Sequence, residues 1–152
     1  VAKKHFEQPS SLYLARGINL PSAMEGSLKL KEISYIHAEA YSAGEMKHGP
    51  IALIDSDTPA VAIIMNNDLY PKMLGNVSQV RARGGRVIGI ATTGNNNVGS
   101  VVDDVLWVPP CPDLLQPIVA TIPTQLLAYH MADFLGNDVD QPRNLAKSVT
   151  VE

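Results

Sequence analysis

Glu25, Lys29 and Glu32 stand at i, i+4 and i+7, a spacing that puts all three on one face of a helix. Two carboxylates flanking an ammonium can carry a proton to and from a carbon acid, the acidity of each group being set by its neighbours. The same spacing also suits an ordinary surface ion pair, and Ser22 with Glu25 has the pattern of a capping box. His48, between Lys47 and Gly49-Pro50, sits at a tight turn, where an imidazole can shuttle protons near neutrality or simply be solvated. Lys147 lies in the closing stretch, and a lysine there becomes a nucleophile or base only inside a dry pocket.

The remaining candidates are weaker. His5, His37 and His130 have no better claim, and His130 falls on the apolar stripe of the last helix. The four histidines are scattered, without Cys or carboxylates at zinc-ligand spacing, so no metal is expected. Cys111, between Pro110 and Pro112, reads as a structural thiol. The polar loop Gly94-Asn95-Asn96-Asn97 to Gly99-Ser100 lacks the glycine spacing of a dinucleotide site or a P-loop, so no cofactor is expected.

Apolar runs that alternate with stretches of helical period must position these groups. Strands are expected at Ser11 to Ala15, His37 to Ala43, Ala60 to Met65, Arg86 to Thr92 and Asp104 to Val108. A helix from Pro21 to about Ile36 buries Met24, Leu28, Ile33 and Ile36. A second, opened by Asp68, buries Leu69, Met73, Val77, Val80 and Ala82. The last runs from Asp113 to Leu135, with a stripe of Leu115, Ile118, Val119, Ile122, Leu126, Leu127, His130, Met131 and Phe134. Pro123 falls inside it and invites a kink, and Gly136-Asn137 caps it. Such alternation predicts a three-layer α/β/α domain with a mainly parallel sheet, whose ligands lie beyond the carboxyl ends of the strands near Thr92 to Gly99. The expected division is a lead-in segment over 1–10, one domain over 11–137, and an irregular tail over 138–152.

Bulk properties narrow the class. The 152 residues are 45% hydrophobic and can bury a core in one domain. A net charge of −3 without basic clusters argues against a nucleic-acid surface. The single cysteine suits a reducing compartment, so a cytoplasmic location is expected, and no apolar stretch reaches a bilayer thickness. The start at Val1, without Met, reads as an internal cut or a processed end.

Three stretches together point further: Leu28 to Tyr41 (LKLKEISYIHAEAY), Gly44 to Ile54 (GEMKHGPIALI) and Asp140 to Glu152 (DQPRNLAKSVTVE). In order and spacing they resemble the second sugar-isomerase (SIS) half of the glutamine:fructose-6-phosphate aminotransferases, with Val80 to Gly85 and Gln125 to His130 adding to the match. The resemblance implies a flavodoxin-like sheet and a share in making glucosamine 6-phosphate from fructose 6-phosphate and glutamine-derived ammonia. It makes Glu32 the base that moves a proton between C1 and C2, in a closed pocket that raises its carboxyl toward neutrality. Lys29 is implied as an auxiliary proton-transfer residue. His48 opens the sugar ring, in the neighbouring subunit's site of a homodimer. Lys147 forms an imine with the open-chain sugar, and Arg143 and Ala146 belong to the substrate site. The tail then becomes a lid over that site.

Two parts of the family's machinery have no counterpart here: the glutaminase domain and the first SIS half, whose Ser/Thr-rich loop holds the sugar phosphate. The chain by itself is therefore expected to be inactive. Two other classes compete with this reading. One is a non-catalytic SIS module that binds phosphosugar or dimerises. The other is a flavodoxin-like nucleotide binder. Glu32, His48 and a lysine-bearing tail together discriminate against the first, and the missing glycine fingerprint against the second.

Overall fold

The computed structural model describes residues 1–95 and 97–145. Five strands, β1 (Ser10–Ala15), β2 (His37–Ser42), β3 (Ala60–Ile64), β4 (Val87–Thr92) and β5 (Asp104–Val108), form one parallel sheet in the order β2-β1-β3-β4-β5. This is the doubly wound, flavodoxin-like order that the strand–helix alternation predicts. β3 and β4 are buried at every position, as their continuous apolar runs require of central strands covered on both faces.

Alternation along the strands divides the core in two. On one face Tyr13, Ile63, Ile88 and Ile90 pack with α1 (Ala2–His5), α2 (Leu20–Ser34) and α4 (Gln116–Phe134). On the other, Leu14, Ala62 and Ile64 pack with Met73, Val77 and Val80 of α3 (Tyr70–Arg81). The connection from β2 to β3 contains no α-helix, only single 3-10 turns at Met46–His48 and Pro50–Leu53.

The short α1 is fastened to the start of β5. Lys4 Nζ and His5 Nε2 reach the two carboxylate oxygens of Asp104 at 2.5 and 3.1 Å. Burial alone would push the Asp104 carboxyl up, but the hydrogen bonds from Lys4 and His5 outweigh it and hold the group below the usual carboxylate range.

The helices occupy the expected places but present different faces. In α2 the buried residues are Ser22, Ala23, Gly26, Ser27, Leu30 and Ser34, while Met24 and Leu28 are exposed. Small residues fill this seam because α2 lies hard against α4 and β1. A Cβ on Gly26 would come within 2.7 Å of Tyr13 Cε1 and 2.8 Å of Thr124 Cβ. The capping box does not form. The helix starts earlier, at Leu20, and Ser22 Oγ instead donates to the carbonyl of Pro117 in α4 at 2.9 Å. In α4 the buried face is Gln116, Ala120, Thr124, Leu127, Ala128, Met131 and Ala132, so Leu115, Ile118, Ile122, Leu126 and Phe134 of the expected stripe face outward. Pro123 is accommodated within this one continuous helix.

Gly26→Ala should therefore destabilise the fold although it improves helix propensity. Overpacking costs about 1–3 kcal/mol and the propensity gain returns at most about 1. A melting temperature roughly 2–6 °C lower is expected by calorimetry. An unchanged or higher value would mean that the α2–α4 seam is looser than this packing.

Candidate functional site

α2 runs antiparallel to the strands it connects, so its last turn lies at their amino-terminal end. There Lys29 Nζ donates to Glu32 Oε2 at 2.5 Å and stands 4.0 Å from Glu25 Oε1. The hydrogen bond to Glu32 holds the Lys29 ammonium above the ordinary lysine range, against the opposing effect of burial. Lys29 thus keeps its proton and Glu32 accepts. The expected triad face exists, but it is not the enclosed pocket anticipated for Glu32. About a quarter of the Glu32 side chain remains exposed among the described residues.

The chain after α4 comes back to this same end. Gly136, at φ +73, turns it out of the helix. Asn137 Nδ2 then donates to the carbonyls of Ile33 and Ser34, both at 3.2 Å, satisfying acceptors that the end of α2 leaves open. Farther on, the backbone N–H of Arg143 donates to Tyr35 Oη at 2.9 Å, and its guanidinium lies 4.0 Å from the Tyr35 ring centroid. Tyr35 is the residue that ends α2, three positions after Glu32, and it adopts the left-handed region at φ +64. Ala146 and Lys147 lie outside the described residues.

His48 sits elsewhere. It follows the carboxyl end of β2, on the turn Met46–His48, so a strand length of about 20 Å along the sheet separates its end from that of Glu32. Its Nδ1 is 2.8 Å from Glu45 Oε2, and both side chains are largely exposed. An ionised carboxylate only accepts, so Nδ1 carries the proton and Nε2 of the neutral ring is the free base.

The crevice beyond the carboxyl ends of β1 and β3, where such sheets ordinarily bind ligands, is filled by side chains. Gln116, almost fully buried, accepts from Asn19 Nδ2 (3.0 Å) and Asn67 Nδ2 (2.6 Å) and donates to Asp113 Oδ1 (2.9 Å) and the Asn66 carbonyl (3.3 Å). Arg16 Nε donates to Asn76 Oδ1 at 2.8 Å, and about 10 Å³ remains, room for one water. In the loop near Thr92 to Gly99, where ligands were expected, Tyr70 Oη donates to Asn95 Oδ1 at 2.6 Å. A groove of about 600 Å³ flanks α2 and the free edge of β2, and is lined by Glu25, Leu28, Lys31, Glu39 and Tyr41 among others. Neither Glu32 nor His48 lines it. Among the described residues no three His, Cys, Asp or Glu side chains converge as metal ligands, and no helix is long and apolar enough to cross a membrane.

Tyr35, Glu45 and Gln116 are missed by sequence reasoning, which names Asn137 only as part of the cap of the last helix. Only Tyr35 carried a local signal, as a bulky residue where a helix gives way to a strand with no glycine between them.

Comparison with known proteins fits this arrangement. The chain is 59% identical to the glutamine–fructose-6-phosphate aminotransferase (isomerizing) of Thermus thermophilus over 152 residues, all of this chain and 25% of that protein. The corresponding Synechocystis enzyme is 55% identical over 152 residues, all of this chain and 24% of that protein. The C-terminal domain of glucosamine-fructose-6-phosphate aminotransferase from Francisella tularensis superposes with a TM-score of 0.84 at 45% identity, over 92% of this chain and 40% of that one. The chain thus spans about a quarter of the length of the curated relatives it matches. A sequence profile of the SIS domain matches residues 6–133, and with it the parallel sheet and its flanking helices assign the chain to the SIS domain family.

Proposed function

We propose that this chain is the second isomerase half of a glutamine:fructose-6-phosphate aminotransferase, working with a preceding SIS half that holds the sugar phosphate and a glutaminase that supplies ammonia. The observation that carries the proposal is the return of the tail to the end of α2 that bears Glu32 and Lys29. The residues that receive the tail, Ile33, Ser34 and Tyr35, directly follow Glu32 on that helix.

In this reading His48 takes the hydroxyl proton of the cyclic sugar at Nε2 and returns a proton to the ring oxygen, opening it. Glu45 holds the imidazole in the tautomer that leaves Nε2 free. The Lys147 amine adds to the C2 carbonyl of the open chain and expels water, giving an imine. Ammonia displaces the lysine, leaving the nitrogen on C2. Glu32 then removes a proton from C1 and delivers it to C2, while the C1 hydroxyl becomes an aldehyde and its proton passes to the C2 nitrogen, which ends as an amine. The Lys29 ammonium, held protonated by Glu32, stabilises the negative charge that develops as C1 is deprotonated toward the 2-amino enol. Sugar phosphate is the substrate class, and no cofactor enters the scheme. A cytoplasmic setting and a homodimer complete the proposal.

The test is covalent. With fructose 6-phosphate, no glutamine, and borohydride added to the polypeptide extended upstream to the relatives' length, label should be fixed on Lys147 and found there by peptide mass mapping. Label elsewhere, or none, would favour a non-catalytic SIS module that binds phosphosugar, in which the Lys29–Glu32 contact is an ordinary ion pair.

A further inference from the structure

Gly44 is a glycine for which its own backbone gives no reason. It is not among the residues at positive φ, unlike Gly49 at φ +150 farther along the same turn. What the position lacks is room for a side chain. A Cβ there would stand 3.1 Å from Arg16 Nη2 and 3.4 Å from both Cζ and Nη1. Cζ is as near as Nη1, so the guanidinium meets Gly44 with its flat face and not with an N–H edge. Arg16 follows β1 directly, and among the described residues it enters no salt bridge. Its Nε donates to Asn76 Oδ1 at 2.8 Å, and Asn76 is buried on α3. A planar cation is thus fixed by a buried amide and laid flat against the residue that leads into Glu45.

We infer that Arg16 is a positioning residue for His48: its guanidinium is the seat of the turn that begins at Gly44, and so sets where Glu45 and His48 stand. This rests on the ring-opening role proposed for His48. The turn is closed by the Glu45 N–H, which donates to the Ser42 carbonyl at 2.8 Å, and by the His48 N–H, which donates to the Glu45 carbonyl at 2.9 Å. At about 2 Å of rise per residue, His48 lies within about 8 Å of Gly44 along this turn. Met46, fully buried, fixes the middle of the turn from inside. The imidazole itself is largely exposed, and its hydrogen-bond partner among the described residues, Glu45, rides on the same turn. The position of Nε2 therefore follows the backbone of the turn, and that backbone rests at its start on the face of Arg16. A lysine at 16 would supply the charge but not the plane.

The test sets two substrates against each other in the upstream-extended polypeptide. Fructose 6-phosphate needs its ring opened, whereas 5-deoxyfructose 6-phosphate lacks the hydroxyl that closes the ring and enters the reaction open. A shift of about 1 Å in a reacting group costs on the order of 100-fold in rate, and a few tenths of an ångström cost less. Arg16→Ala should therefore slow turnover of fructose 6-phosphate about 10–100-fold and Gly44→Ala roughly 3–10-fold, with turnover of the 5-deoxy sugar held within about two-fold in both. Arg16→Lys, which keeps the charge and loses the plane, should match Arg16→Ala. The double variant should be no slower than Arg16→Ala alone, because the added methyl then has no guanidinium to displace. Unchanged turnover in Arg16→Ala, equal losses on the two sugars, restoration by lysine, or losses that multiply in the double variant each overturn the inference. If Arg16→Ala does not fold, Gly44→Ala decides by the same contrast of substrates. A His48→Ala protein that loses nothing on fructose 6-phosphate, or loses as much on the 5-deoxy sugar, is a different result. It removes the ring-opening role on which the inference depends, and it is visible without any Arg16 variant.

Discussion

Under the proposed function, Glu32→Gln should lower sugar-phosphate turnover by about 10²–10⁴-fold and leave fructose 6-phosphate affinity within a factor of about two. The rate loss is that of removing one positioned general base. Glutamine keeps the shape and the acceptor oxygen that Lys29 Nζ reaches at 2.5 Å, so the end of α2 is not remodelled and ground-state binding is spared. What disappears is the capacity to hold the C1 proton in transit. Steady-state kinetics on the upstream-extended protein, paired with exchange of the C1 proton with solvent, measure both halves of the claim. Turnover near the unsubstituted rate would reduce Glu32 to one partner of a surface ion pair. A collapse of affinity with kcat intact would make it a binding residue and move the base elsewhere.

The chain on its own should fold, associate with itself, and make no glucosamine 6-phosphate even when ammonia is supplied directly. Folding follows from the two cores on either side of a complete five-stranded sheet. Association follows from the outer surface of α4 and α2. Ile118, Ile122 and Leu126 repeat at four-residue spacing on α4 and are half or more exposed, and Met24 and Leu28 are exposed on α2. A row of exposed apolar side chains of this kind marks a surface that a partner covers. Inactivity is expected because the described residues offer no phosphate clamp. Beyond β3 the loop is Asn66-Asn67-Asp68, which offers a carboxylate where an anion would need donors, and the adjoining crevice has room for a single water. Hydrogen bonds to a charged group are worth about 1.5–3 kcal/mol each, so losing roughly three removes 5–9 kcal/mol, about the whole binding free energy of a micromolar ligand. Calorimetric titration with fructose 6-phosphate should give no heat of binding up to millimolar ligand. Sedimentation should show dimers or larger species that Ile122→Glu disperses. Micromolar binding with turnover would sink the proposal that the phosphate is held by the preceding half.

Much of the fold was legible because burial on both faces writes itself as unbroken apolar runs. Ala60 to Met65 and Arg86 to Thr92 could hardly be anything but central strands, and the structure ends them within a residue. The helix faces were misread for a physical reason. Residue type predicts burial only when one side of a helix meets solvent. In α2 and α4 the seam that touches the sheet is made of Gly26, Ala23, Ala120, Thr124 and Ala128, chosen for closeness rather than apolar area. The large apolar residues went to the outer side and gave a false stripe. At the candidate site, the Lys29–Glu32 pair was visible because i, i+3 contacts are local. Asn137 on Ile33 and Arg143 on Tyr35 were not, since they join residues 104 and 108 positions apart and no periodicity encodes them.

The placement of Glu32 and His48 at opposite ends of one sheet has a genetic corollary. A sugar phosphate spans far less than the strand length between them, so under the proposed function no single copy can present both to one substrate. Each complete site is then assembled from two alleles' products. Two inactive alleles, one lacking the carboxylate and the other the imidazole, would restore one working site in every mixed dimer, and random pairing of equal amounts would recover about a quarter of full activity. Either defect alone, mixed with an equal amount of sound copy, would leave about half of full activity, because each faulty copy costs one site whichever partner it takes.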